Sequence, residues 1–272
     1  MNNGVVRTEF KRPLVIGIGE IGKPLYEIVR GVYPAAQWLD VESKEVLGEI
    51  GLLHICFRYS ESFVKDVVEY VKRFQPSLTL IESTVLPFTT SKIYAQVGGN
   101  ICHSPVRGRG LTGFKWGFFT YTKFIGGATP TAARVAEEYY QSLGFKTRVC
   151  NSPLETEFMK IINTTYYGLC ISWFQEIERI CNRYNLDVSS IREFIKSTED
   201  DSGGKVPRPV YYGGHIGGHC VISNALLLQQ TFPSKFVEAL LESNEKRGRE
   251  TKLEESESVV KLNKKTFGKG LK

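Results

Sequence analysis

The sequence predicts an α/β fold, a doubly wound parallel sheet followed by a smaller all-α domain built on a long central helix. Three observations predict it. Short β-rich runs alternate with helical stretches up to residue 150, and several of those runs are apolar throughout, as strands covered on both faces are. After Asn151-Ser152-Pro153 the chain turns helical and stays so.

In chain order, strands are expected at 14–18, 37–41, 52–57, 78–83, 100–103, 123–126 and 146–150. Phe63, Val64, Val67, Val68, Val71 and Phe74 share one face of a helix, and 132–143 forms another that stops at Gly144. From Leu154 to about Asn185 there is no proline and a single glycine, with apolar residues at helical spacing. Ser152 can cap this helix, Pro153 suits its first turn, and Glu155 and Glu157 sit where the helix dipole favours negative charge. The expected division is 1–151 for the sheet domain, 152–245 for the helical domain, interrupted by a Gly/Pro-rich stretch at 201–218, and 246–272 for a disordered basic tail.

Composition agrees. With 272 residues, 42% hydrophobic and 24% charged, the chain is an ordinary globular protein, which excludes disorder, collagen-like repeats and a multi-pass membrane protein. The net charge of +6 is local: residues 246–272 carry nine Lys/Arg against four Glu, leaving the body close to neutral. No aromatic stacking pattern accompanies that charge, so a solvated tail is expected rather than a nucleic-acid arm. Six cysteines without a CxxC pair, and an N-terminus without an apolar signal region, point to a cytoplasmic protein with reduced thiols.

Three constellations carry chemistry. Gly17-Ile18-Gly19-Glu20-Ile21-Gly22 follows an apolar strand and opens a helical run. In a Rossmann-type domain the first glycine makes the tight turn, the second admits a pyrophosphate, and the third lets helix and strand pack closely. Such a turn can also be purely structural, but Asp40 ends the next strand 23 positions after Gly17, where a carboxylate meets an adenosine ribose. Asp40 would repel a 2′-phosphate and so favours NAD over NADP, a choice that nearby Lys44 leaves open. Second, Gly213-Gly214-His215-Ile216-Gly217-Gly218-His219-Cys220 places a thiol in a glycine-rich turn, which makes Cys220 the candidate nucleophile. His215, His219 and Cys220 offer metal-type ligands, but no second ligand pair stands at a plausible spacing, so no metal is expected. Third, Lys160 and the polar pair Asn163/Thr164 lie one turn apart on the long helix. A helical lysine is ordinarily solvated; the apolar neighbours of Lys160 argue for partial burial, a lowered pKa and proton transfer.

In this order the motifs GIGEIG, HICF, IESTVLPFTT, HSPVRGRG, ETEFMKIINTTYYGLCISWFQEI and GGHIGGHC resemble the UDP-glucose/GDP-mannose dehydrogenase family, from about residue 14 to residue 220. The resemblance implies an NAD-dependent oxidation in which a thiol attacks an aldehyde intermediate, with two successive hydride transfers turning an alcohol into a carboxylate. It implies that Cys220 is that thiol, that Lys160 stabilises an oxyanion with Asn163 and Thr164 beside it, and that Phe57, Ser83 and Thr84 lie near cofactor and substrate in an interdomain cleft. The chain departs from the family pattern where Val106 replaces a glutamate, Asn224 an aspartate and Thr164 an asparagine. Glu82 or Glu157 is a possible stand-in base. About 50 residues follow Cys220, so the resemblance implies a truncated form lacking the family's C-terminal nucleotide-sugar domain.

The expected activity is therefore oxidation of an alcohol or aldehyde, with sugar derivatives among the candidate substrates. The rivals are a two-electron β-hydroxyacid-dehydrogenase-like enzyme using Lys160, with Cys220 incidental, and an NAD-binding module without turnover. The apolar and aromatic residues around more than one face of the long helix predict a homodimer. Neither a membrane nor a nucleic acid is an expected partner.

Overall fold

The computed structural model describes residues 10, 12–40, 46–108, 113–217 and 220–267, the stretch 253–267 as backbone alone. In order the elements are β1 (Pro13–Ile16), α1 (Gly22–Val32), β2 (Gln37–Leu39), β3 (Leu52–Ile55), α2 (Phe63–Phe74), β4 (Leu78–Ile81), α3 (Thr89–Val97) and β5 (Ile101–His103). There follow α4 (Phe114–Thr120), β6 (Lys123–Gly127), α5 (Pro130–Ser142), β7 (Thr147–Cys150), α6 (Pro153–Tyr184), α7 (Val188–Asp201), α8 (Val221–Thr231) and α9 (Lys235–Phe267).

The seven strands form one sheet in the order β2-β1-β3-β4-β5-β6-β7. β1 pairs parallel with both β2 (Leu14 opposite Gln37) and β3 (Leu14 opposite Leu53), so the strand order reverses at β1/β3. In such sheets ligands bind beyond the carboxyl ends of the strands at that reversal. Every residue of β1, β3 and β4 is buried, as strands covered on both faces require. Leu25 and Val29 of α1 pack with Tyr139 and Tyr140 of α5 on one face. Phe63 and Val67 of α2 and Ile93 of α3 cover the other.

One expectation fails within the sheet. β6 runs antiparallel to β5, with Cys102 opposite Gly127, and β7 follows β6, so the sheet is mixed rather than wholly parallel. Strand and helix alternation carries no sign of direction. Among the described residues of the link between β5 and β6 the one helix is the seven-residue α4, and β6 runs back beside β5.

By packing, the chain divides into two compact units, 1–161 and 162–272. Their boundary lies inside α6, ten residues past the position read from sequence, because the first turns of that helix are bonded to the sheet unit. Ser152 caps α6 as expected, its Oγ accepting from the Glu155 N–H at 3.3 Å. The basic stretch is also corrected: α9 continues to Phe267 where disorder was expected. Between 246 and 267 there is no proline and one glycine, and opposite charges recur at helical spacing, as in the Arg249–Glu245 pair. Among the described residues no helix is long and apolar enough to cross a membrane.

Candidate active site

The glycine turn lies at the carboxyl end of β1. Gly17 has φ +92°, and a Cβ there would stand 2.7 Å from the Phe57 nitrogen; a Cβ on Gly22 would stand 1.8 Å from the Gly17 oxygen. Those two glycines let β1, β3 and α1 converge. Gly19 differs: a Cβ there meets no heavy atom within 4 Å, which leaves the open backbone a pyrophosphate needs. Glu20 is exposed beside it, and Ile21, half-buried, leads into α1. The Ile18 N–H donates to Asp40 Oδ2 at 3.0 Å, so the exposed carboxylate at the end of β2 is held against the turn. Phe57, half-buried, packs on Phe63 with ring centroids 4.9 Å apart. The Ser83 hydroxyl lies 2.6 Å from the Phe57 carbonyl, so it fastens β4 to the end of β3, and half-buried Thr84 follows it. All the cofactor candidates thus gather at one edge of one sheet.

Beneath that edge lies a buried charge network that the sequence reading did not identify. Glu82 bonds through Oε1 to His54 Nδ1 at 2.9 Å and to the Tyr140 hydroxyl at 2.7 Å, and through Oε2 to the Lys123 ammonium. His54 Nε2 meets the Tyr139 hydroxyl at 2.8 Å, and Lys123 also donates to the Ser104 carbonyl at 2.5 Å. Burial pushes the Glu82 carboxyl up, but the Lys123 charge and the His54 hydrogen bond outweigh it and hold it at about 2. Burial lowers Lys123, and Glu82 opposes that shift. The available signal was a Glu, a Lys and a His lying in or beside otherwise apolar strands.

The first turns of α6 grip the same edge. His103 Nε2 faces the Ser83 carbonyl at 3.1 Å and so carries the proton; Nδ1 then accepts from Thr156 Oγ at 2.8 Å. Burial brings His103 down to about 3, so it stays neutral. Glu157 places Oε2 on the Phe88 N–H at 2.7 Å and Oε1 on the Thr90 N–H and hydroxyl at 2.8 and 2.7 Å, capping α3. One turn on, half-buried Lys160 donates to the Val106 carbonyl at 2.8 Å. Glu82 and Glu157, the candidate stand-in bases, therefore have both oxygens bonded within the fold.

The second unit holds the thiol. Cys220 is exposed at the N-cap of α8. One turn in, buried Asn224 donates from Nδ2 to Thr164 Oγ at 3.1 Å, so two of the three departures from the family pattern meet each other. Asn163 is exposed on α6. At Gly213 a Cβ would lie 2.7 Å from the Phe174 carbonyl oxygen, so the glycine lets this stretch pass close to the α6 backbone. Lys44, Gly218 and His219 lie outside the described residues. Among those described, no cluster of three His, Cys, Asp or Glu can hold a metal.

Residues 154–246 match the family model for the central domain of the UDP-glucose/GDP-mannose dehydrogenases. A UDP-N-acetyl-D-mannosamine dehydrogenase of Methanococcus maripaludis is 28% identical over 193 residues, covering 69% of this chain and 42% of the relative. The chain thus spans about two fifths of the length of that relative. Among solved structures, a UDP-D-ManNAc dehydrogenase from Pyrococcus horikoshii superimposes with TM-score 0.77 at 19% identity, covering 93% of this chain and 72% of the other. A 3-hydroxyisobutyrate dehydrogenase of Mycobacterium tuberculosis gives TM-score 0.66 at 13% identity, covering 88% and 92%. At those identities the structures show a shared fold.

Proposed function

We propose, on the match of residues 154–246 to the family model for the central domain of the UDP-glucose/GDP-mannose dehydrogenases, that the chain is an NAD-dependent oxidoreductase acting on an alcohol or aldehyde, sugar-derived as in its relatives. The observation that carries the cofactor is the glycine turn with Asp40 fastened to it by the Ile18 N–H. Bound NAD supplies the hydride acceptor. The Gly19 backbone receives the pyrophosphate and Asp40 accepts from the ribose hydroxyls, while Lys160, anchored on the Val106 carbonyl, takes up the hydroxyl proton or steadies the oxyanion. Cys220 is the thiol that adds to an aldehyde carbonyl.

The reaction proposed is a single two-electron oxidation. A second hydride transfer, from a Cys220 thiohemiacetal, would leave a thioester that only a base-activated water releases, and Val106 accepts no proton. Glu82 and Glu157 are committed elsewhere, and Asn224 has no charge. A cytoplasmic setting, which keeps the thiols reduced, suits this chemistry.

Titration calorimetry tests the cofactor site. NAD is expected to bind with NADP much weaker, and Asp40→Ala to weaken NAD by about 1–3 kcal/mol, the scale of a charge-assisted hydrogen bond. Equal binding of NADP would refute the assignment. A second reading, a β-hydroxyacid-type enzyme with Lys160 as acid/base and Cys220 a bystander, draws support from the 92% coverage of the 3-hydroxyisobutyrate dehydrogenase. Under it an aldehyde leaves Cys220 open to thiol labelling; under the first reading the aldehyde, held as a thiohemiacetal, protects it.

A further inference from the structure

The chain on both sides of Cys220 is fastened by groups that no step of the proposed reaction uses. Gln175 of α6 and Asn244 of α9 are buried amides. Gln175 Nε2 donates to the Gly214 carbonyl at 2.8 Å and to Asn244 Oδ1 at 3.2 Å. Asn244 Oδ1 accepts from the Ile216 N–H at 2.7 Å, and its Nδ2 donates to the Ile216 carbonyl at 3.2 Å. A side chain that answers both the N–H and the C=O of one residue copies a rung of a strand ladder and fixes that residue in rotation as well as position. Ile216 lies four residues before the thiol.

Beyond the thiol, Val221 rests on α6 at its one glycine: a Cβ on Gly168 would lie 2.7 Å from Val221 Cγ1 and 2.8 Å from Leu240 Cδ1. The Asn224 N–H donates to the Cys220 carbonyl at 3.1 Å, which sets the first turn of α8. Cys220 is thereby bracketed between two anchored points in the same unit. We infer that Asn244, backed by Gln175, is a positioning residue for the Cys220 sulfur, holding the segment 214–216 so that the thiol is presented in one orientation. This rests on the reading of Cys220 as the site thiol.

The test is the rate of alkylation of Cys220 by iodoacetamide in the full chain, followed by peptide mass spectrometry, with half-buried Cys150 of the first unit as internal control. Asn244→Ala removes both bonds to Ile216; Asn244→Asp keeps the acceptor, loses the donor, and is the variant that decides should the first fail to fold. In either folded variant the Cys220 rate should change by about threefold or more, in either direction, since reactivity follows the local environment of the sulfur. The Cys150 rate should stay at its wild-type value. An unchanged Cys220 rate in a folded variant, or Cys150 moving in step with Cys220, overturns the inference and leaves Asn244 a support of the fold alone. The labelling is done without substrate, so its failure is distinct from that of the functional reading, which falls if an added aldehyde leaves Cys220 open to labelling.

Discussion

Glu82 sits at the centre of the buried charge network. Its carboxylate is fully buried and bonded to His54, Tyr140 and Lys123, and its folded pKa of about 2 lies below the ordinary 4.5. A carboxyl depressed in the folded state stabilises above its unfolded value, and that contribution fades as pH falls from about 4.5 towards 2. It amounts to about 3 kcal/mol. His103 acts in the same direction: neutral in the fold at about 3, it costs stability as pH drops below its unfolded value of 6.5. Glu82→Gln leaves the buried Lys123 ammonium without its counter-charge and should destabilise the protein by about 3–5 kcal/mol at neutral pH, with a shallower loss in acid. Urea unfolding at several pH values measures both. A variant as stable as wild type would show that the network contributes little.

Among the elements, α6 joins most of the molecule's chemistry. Its first turns carry Thr156, Glu157 and Lys160, bonded to His103, α3 and Val106. Further on, Ile162, Tyr166, Trp173, Ile180 and Tyr184 are all exposed, and their spacing puts them on one stripe of the helix. We propose that this stripe is a two-fold dimer face, since exposed apolar stripes of this length mark association sites. Light scattering should find a dimer at micromolar concentration, and Trp173→Glu should yield monomer; a monomeric wild type contradicts it.

How far these elements could be read from sequence follows from their physics. All seven strands and the helices α1, α2, α5 and α6 have apolar periodicity or turn residues at their ends, and each lies where that pattern put it. α3 opens with Thr-Thr-Ser and has only the short apolar face of Ile93, Tyr94 and Val97; its start is made by Glu157, 67 residues away. The Asp40–Ile18 contact was legible because strand, turn and acid share one local unit. The Glu82 network and the Asn244 clamp were not, because their members come from distant segments and only tertiary packing makes a buried polar group visible as one.

At the scale of the whole chain, the sheet unit carries the glycine turn with Asp40 and the helical unit carries the exposed Cys220, and the chain spans 42% of the curated relative from M. maripaludis. Two carboxylates that could serve hydrolysis are bonded into the fold, a third position is Val106, and a fourth is Asn224. General-base assistance is worth about 10²–10⁴ in rate, so in the proposed reaction the aldehyde leaves after the first hydride transfer rather than passing on through a thioester. The most direct test of this account is the number of NADH molecules released per substrate molecule consumed by the purified chain, measured across a panel of UDP-sugars, sugar alcohols and hydroxy acids. The account predicts one; steady release of two per UDP-sugar would contradict it.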